Sequence, residues 1–376
     1  MPYHLRHYFD PEFDHLKLRP RQLADGSVDH YDLNYVQSVV SGQLLAEFEE
    51  IGSEADAPHD AYTGLIFEEP EFPAGNGTAV NPDNPLQLMA TQNGYVFYLD
   101  GEIAVKRTLN VRHDVDFSTG NISFVGDIRV HGSIRAGFTV SARDIEVMDI
   151  IEAATVKAQG SLACASGLKG ADHGEIEVGK SIKIGFCEKG VLKAGHDILV
   201  ETACLHSEVY AGRSMAVKGR LIGGETHCLN YLLVDEQLGG GSGAETHIVM
   251  GYDPMLLYAD KQLARSNEEL IEELRSVETM LARLPRNGEA AREIQAKAQA
   301  LHKTLLQLQS RRIRLWDRIN QTHRLESCRI IVPGQVRPGV EISIGQAYMK
   351  IEDFLEDVHF RFTDNEIIVA SPAMVK

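Results

Sequence analysis

Residues 126–164, GDIRVHGSIRAGFTVSARDIEVMDIIEAATVKAQGSLAC, decide the fold. Within this stretch an aliphatic pair at i and i+2 occurs three times, as Ile128/Val130, Ile145/Val147 and Leu162/Cys164, at steps of 17 residues. The series continues as Ile182/Ile184, Ile198/Val200, Met215/Val217, Leu232/Val234 and Ile248/Met250, at steps of 20, 16, 17, 17 and 16. The residue before each of the first six pairs is Asp or Ser: Asp127, Asp144, Ser161, Ser181, Asp197 and Ser214. Short oxygen side chains bond nearby backbone N–H groups and set a turn ahead of a strand. Glycine stands two positions or fewer from that residue in five rungs, at Gly126, Gly160, Gly179, Gly195 and Gly212, where a positive φ costs little. A second strand fits upstream of the pairs, through Val156/Ala158, Ile176/Val178, Leu192/Ala194 and Val209/Ala211.

The composition agrees with many short strands. Residues 120–252 hold 21 of the 33 glycines, and no proline occurs between Pro85 and Pro254. A flexible Gly-rich linker carries Ser and Pro as well. Central strands exclude Pro because it removes a ladder hydrogen bond. The spacing predicts a parallel β-helix with rungs of about 17 residues, stacked about 4.8 Å apart. Single rungs cannot bury their own faces, so stacking is the source of stability. An antiparallel sandwich does not account for a phase kept over eight repeats, and a left-handed hexapeptide helix needs a period of six. Right-handed winding follows the crossover preference of parallel strands. The outward residue within each pair runs Arg129, Glu146, Ala163, Lys183, then Leu199, Ala216, Leu233 and Val249. The last four predict an apolar strip that another surface covers.

After Gly251 the period changes to that of a helix. Leu256, Leu263, Leu270, Val277 and Leu284 are seven apart, with Leu274 and Leu281 on the same seam. LPRNG at 284–288 predicts a break, and Ile294, Leu301, Leu308 and Leu315 begin a second arm. The pattern is that of an antiparallel coiled-coil hairpin inserted into the column. Its second arm carries a basic cluster, Arg311, Arg312, Arg314 and Arg318, suited to an acidic partner or to the glutamates of the first arm. Strand alternation then resumes at Ile330/Val332, Val336 and Val340/Ile342/Ile344, and HFRFTDNEIIVA reads as a hairpin turning at Asp364-Asn365.

The N-terminal part differs. Residues 1–70 contain 14 Asp/Glu against 4 Lys/Arg, so most of the net charge of −17 resides there. Leu33, Val36, Val40, Leu44 and Phe48 predict an amphipathic helix over 32–50, weakened by Gly42. FPAGNGTAVNPDNP reads as loop, and LQLMATQNGYVFYLDGEIAVKR as a meander with turns at Asn93-Gly94 and Asp100-Gly101. The expected fold class is therefore mainly β: a right-handed parallel β-helix with an N-terminal α+β domain and an inserted antiparallel coiled-coil helical hairpin. The expected divisions are 1–112, an acidic α+β domain; 113–252, the β-helix; 253–327, the hairpin; 328–350, the return to the β-helix; and 351–376, a C-terminal hairpin.

Several classes are set aside. No run of about 18 apolar residues is present, and the start of the chain has no apolar signal region. The five cysteines form no C-x-x-C pair, which fits a reducing cytosol, and Cys187 and Cys204 fit stacked core positions. The acid excess argues against coating of nucleic acid. No dinucleotide, phosphate-loop or nucleophile-elbow motif is found, and Gly239–Gly243 reads as a rung turn. Glu225-Thr226-His227 and Glu245-Thr246-His247 raise His227 and His247 as weak metal ligands on adjacent rungs, although a mononuclear site needs three or four converging ligands. Outward carboxylates such as Glu146, Asp149 and Glu152 are what a β-helix carbohydrate-active enzyme would use.

The runs FSTGNISFVGDIRVHGSIRAGFTVSARDIEV, LHSEVYAGRSMAVKGRLIGGETH and ETHIVMGYDP, with the helical repeat after them, resemble the bacterial FapA (flagellar assembly protein A) family over about 113–345. The resemblance implies a cytoplasmic β-helix protein with a role in flagellar assembly or polar organisation, and it carries no catalytic motif. The column is also similar to bactofilins and to the C-terminal domain of the division inhibitor MinC, which self-associate. The expectation is a non-enzymatic scaffold with no catalytic residue, cofactor or metal, acting on protein partners, without nucleic acid or membrane insertion, as a homo-oligomer with a dimer favoured. Its interaction residues are Leu199, Ala216, Leu233, Val249, Arg311, Arg312, Arg314 and Arg318. The alternatives are a polymerising bactofilin-like element and a carbohydrate-active enzyme.

Overall fold

A computed structural model describes residues 2–374 apart from 16, 19, 23–25, 27, 53–65, 242 and 284–287. The chain divides into two compact units, Met1–Val191 and Leu192–Lys376.

The first unit opens with two antiparallel sheets. One orders the strands Ile66–Phe67, Tyr3–His7, Leu44–Glu50, Asn84–Ala90 and Thr78–Asn81; the other orders Glu102–Lys106, Gly94–Leu99 and Ser38–Val39. Their shared core contains Leu5, Leu45, Phe48, Leu88, Val96 and Ile103. The expected helix over 32–50 is absent, and the α+β expectation is corrected to a strand-rich region. The four-residue spacing does not describe one face here: Val40 is exposed while Val39 is buried, and a bulge between Leu44 and Ala46 turns Leu45, Ala46 and Phe48 into the core. Gly42, at φ +85°, makes the turn between the two strands there. The segment read as loop contains the strand Thr78–Asn81. Asp100-Gly101 forms the expected tight turn, with φ of +53° and +86°. Asn93-Gly94 does not form a hairpin; the strands on either side of it enter different sheets. Gly94 is needed there because a Cβ would lie 2.2 Å from the Lys106 carbonyl oxygen.

Both units carry β-helix rungs with three faces. In the first unit the inward stacks are Leu109, Ile128, Ile145 and Leu162; Ile122, Val140, Val156 and Ile176; and Val115, Ile134, Ile151 and Leu168. All twelve are buried. The third face escapes a search for aliphatic pairs because each of its rungs contributes a single large aliphatic. In the second unit the stacks are Ile198, Met215, Leu232 and Ile330; Val209, Thr226, Ile248 and Ile342; and Cys204, Leu221, Leu238 and Val336. Ile248/Met250 therefore belongs to the second face, and Ile330 completes the first. Both faces read as aliphatic pairs, so a change of face leaves the spacing intact.

The turn glycines act differently from expectation. Gly126, Gly160, Gly179, Gly195 and Gly212 all lack a positive φ. They sit where consecutive rungs approach. Asp144 Oδ1 accepts a hydrogen bond of 2.7 Å from the Ser161 N–H one rung on. A Cβ on Gly160 would meet that same oxygen at 2.1 Å. Asp side chains thus bridge rungs rather than fix their own turn, as Asp114 also does with the Ser133 N–H at 2.7 Å.

The second unit carries the helices α1 (Pro254–Ala282) and α2 (Glu289–Gln321) between the strands Thr246–Met250 and Arg329–Val336. The expected break at LPRNG lies mostly outside the described residues. Asp253 caps α1 by accepting from the Met255 and Leu256 N–H groups, and Pro254 occupies the first turn, where its missing N–H costs nothing. Strand Leu355–Thr363 runs antiparallel along Arg329–Val336, and Ala347–Lys350 antiparallel along Val340–Ile344. The terminal hairpin to Glu366–Ala370 turns at Asp364-Asn365 as expected, with φ of +53° and +64°. These antiparallel additions occupy the edges of the last parallel strands.

Candidate interaction arm and its joint to the rungs

The two helices form an antiparallel hairpin whose register is marked by two ion pairs. Arg312 grips Asp260 with bonds of 2.7 and 3.1 Å, and Lys297 lies 2.8 Å from Glu273. Asp260 is buried, as are Val277, Ala291, Leu305 and Ile319 of the seam. At the base, the Arg324 N–H donates to the Gly251 carbonyl at 2.8 Å and ties the two feet together.

The foot of α1 is bolted to the second unit's rungs. Glu208 and Glu225 occupy equivalent outward positions on successive rungs. Lys261 Nζ bridges them, at 3.1 Å from Glu208 and 2.8 Å from Glu225. Tyr258, one turn earlier on α1, meets the Tyr210 ring edge-on at a centroid distance of 5.0 Å, and Lys193 Nζ lies 4.3 Å above the Tyr258 ring. Tyr210 in turn stacks flat on His227, the centroids 4.6 Å apart. His227 Nε2 is 3.5 Å from Glu225 Oε2, an electrostatic contact; neither His227 ring nitrogen has a hydrogen-bond partner. The His227 side chain and, less strongly, Lys261 hold the Glu225 carboxyl down to about 2, against the opposing effect of burial.

This yields a pH prediction. A carboxyl with a depressed folded value contributes stability above its ordinary value of 4.5, and that contribution is lost as the pH falls from there toward about 2. Glu225→Gln is expected to melt below wild type at pH 6, with the gap narrowing below pH 4.5 and closing only toward pH 2. A gap independent of pH would contradict it.

The two Glu-Thr-His tripeptides do not occupy equivalent positions. Glu225 pairs with His247, and His227 with Val249. The step from Gly224 to Thr246 is 22 residues, against 17 from Leu221 to Leu238, so a spacing of 20 misses register by two. His227 faces Tyr210 and Glu225, whereas His247 Nδ1 lies 3.2 Å from Glu341. Among the described residues no group of three or more His, Cys, Asp or Glu is arranged to hold a metal ion.

The other sequence candidates fall as follows. Leu199, Ala216 and Leu233 do share one outward column, half-buried, and its fourth member is Ile331; Val249 lies on another face in the column of His227 and Ser343. Arg312 is engaged with Asp260, while Arg311, Arg314 and Arg318 are exposed. Glu146 pairs with Arg129 at 2.7 Å, Glu152 with Arg135 at 3.0 Å, and Asp149 accepts from the Ser133 hydroxyl at 2.9 Å, so these three carboxylates serve rung-to-rung pairing. All five cysteines are buried, and burial pushes the Cys164 and Cys328 thiols up to about 12. Sequence reading missed Tyr258 and Lys261. They are three apart on α1 and off the heptad seam, and Glu208 and Glu225 stand one rung apart, but nothing in the local sequence joins the two pairs.

The model of the Flagellar Assembly Protein A beta solenoid domain matches residues 107–367, which include the rungs, the arm and its joint. The chain belongs to the FapA family. No curated protein and no solved structure matches the chain. The FapA match accounts for the solenoid, and its family name ties the chain to flagellar assembly. Among the described residues no helix is long and apolar enough to cross a membrane.

Proposed function

We propose that this FapA member is a non-enzymatic cytoplasmic scaffold of flagellar assembly or polar organisation, and that the helical arm presents its partner-binding surface. The observation carrying this reading is the fixed foot of an arm with free charges. Lys261 locks α1 across two rungs, while Arg311, Arg314 and Arg318 stand exposed on α2. A rigidly held basic helix face suits an acidic protein partner. The outward carboxylates considered for glycan chemistry are occupied in rung-to-rung pairs, which favours the scaffold over the enzyme. Antiparallel strands on the last parallel edges favour it over end-to-end polymerisation.

The test is made in the host, with Arg311→Glu, Arg314→Glu and Arg318→Glu combined. The variant should retain the wild-type circular dichroism spectrum and melting profile. It is expected to reduce flagella per cell or misplace them, and to lose protein partners recovered by crosslinking with wild type. Unchanged flagella together with an unchanged set of partners would sink the proposal.

A further inference from the structure

The arm has a second apolar seam that no part of the described chain covers. Leu306, Ile313 and Trp316 lie seven and three residues apart on α2, with exposures of 52, 66 and 38 %. They stand apart from Leu305 and Ile319, which are buried against α1. Ile313 and Trp316, together with Leu263 and Asn267 of α1, line an open groove of about 590 Å³. Asn267 Oδ1 is buried and lacks a hydrogen-bond donor, an acceptor that an incoming polar group would satisfy. About three turns of α2, from Leu306 to Trp316, thus offer a seam facing outward as well as one facing α1.

Charge selects what covers it. Helix α2 carries seven Lys/Arg against three Asp/Glu, whereas α1 carries six Asp/Glu against three Lys/Arg. On the far side of the exposed seam from α1 stand Lys303 and Arg314; on the α1 side stands Glu268. The Arg312–Asp260 and Lys297–Glu273 pairs fix the levels along the hairpin. Counting between them places Lys303 level with Glu268. Neither of these two forms an ion pair among the described residues. We propose that the arm pairs with the arm of a second copy of this chain, seam to seam, about a two-fold axis parallel to the helices. That symmetry preserves level, so Lys303 of each copy meets Glu268 of the other. An axis perpendicular to the helices would set the two basic flanks against each other, which disfavours it. The inference rests on the scaffold reading only in placing the contact on the arm.

Trp316 is the sole tryptophan, so its fluorescence reports this seam alone. The full chain is followed by sedimentation velocity and by fluorescence from low to high micromolar concentration. Dimer formation with a concentration-dependent blue shift of Trp316 is expected. Ile313→Glu should weaken the dimer roughly 100-fold, as truncation of a central contact does, with the helical signal unchanged. Lys303→Glu should weaken it about tenfold, and Lys303→Glu combined with Glu268→Lys should restore it. A monomer at all concentrations overturns the inference, as does a dimer indifferent to Ile313→Glu. A dimer that Lys303→Glu weakens and the double reversal fails to restore overturns the parallel arrangement. Wild-type flagella in an Ile313→Glu strain leave the scaffold reading standing, so failure of the two is told apart.

Discussion

Gly219→Ala is expected to destabilise the protein by about 3 kcal/mol, one of the larger effects of a single methyl added to the rungs. A Cβ at this position would lie 1.9 Å from the Thr202 carbonyl oxygen of the neighbouring rung. That oxygen is backbone, held in a ladder whose members pair on both sides, so no side-chain rotation relieves the clash and the two rungs must separate locally. Gly160→Ala makes the informative contrast. Its closest obstacle is a side-chain oxygen, Asp144 Oδ1 at 2.1 Å, which can swing away only by giving up its bond to the Ser161 N–H. The cost there is about 2 kcal/mol, much of it the lost charge-assisted hydrogen bond. In an Asp144→Ala background the same glycine substitution should cost appreciably less, whereas Gly219→Ala should be indifferent to that background. Urea titrations of the five variants, Asp144→Ala alone included, measure all of this. Equal costs for the two glycines in both backgrounds would contradict the close-approach account.

Arg312→Ala is expected to destabilise the arm by about 2 kcal/mol, leaving the buried Asp260 carboxylate without its bidentate partner. Arg312 itself is partly open to water, which keeps the figure below that of a fully enclosed pair. Removing both residues should cost less than removing Arg312 alone. Lys297→Ala should be close to neutral, because Lys297 and Glu273 are both well exposed. Hydrogen exchange along α1 and α2 reads these differences locally: faster exchange near residues 256–264 and 308–316 in Arg312→Ala, and no change in Lys297→Ala.

The repeat was legible because burial in stacked rungs imposes the same aliphatic pair on every turn of the chain. The same uniformity hid which face a pair belongs to, so Ile248/Met250 read as a continuation of Leu232/Val234 although Ile330/Val332 stacks there. The glycines were located correctly, but their cause was not: close approach between rungs is a property of neighbours 17 residues away and leaves no local trace. The supposed helix at 32–50 failed because the Gly42 turn and the bulge after Leu44 break the segment, so the buried residues are Val39, Leu45, Ala46 and Phe48 rather than every fourth one. The heptads of the arm announced the α1–α2 contact. Tyr258 and Lys261 were passed over since their partners, Tyr210, Glu208 and Glu225, become visible only once rung register is known.

The tie between the Arg324 N–H and the Gly251 carbonyl bears on how the chain reaches this state. Leu232 and Ile330 pair across 98 residues, a long loop to close. Zipping α1 against α2 first brings residues 251 and 324 together and leaves about a quarter of that length to be closed. By the logarithmic dependence of closure entropy on length, this lowers the cost by about 1 kcal/mol. The arm would then act during folding as a splint that delivers the last rungs to the column. Helix-breaking changes far out on the hairpin should slow refolding of the strands at 329–344, which lie at its base.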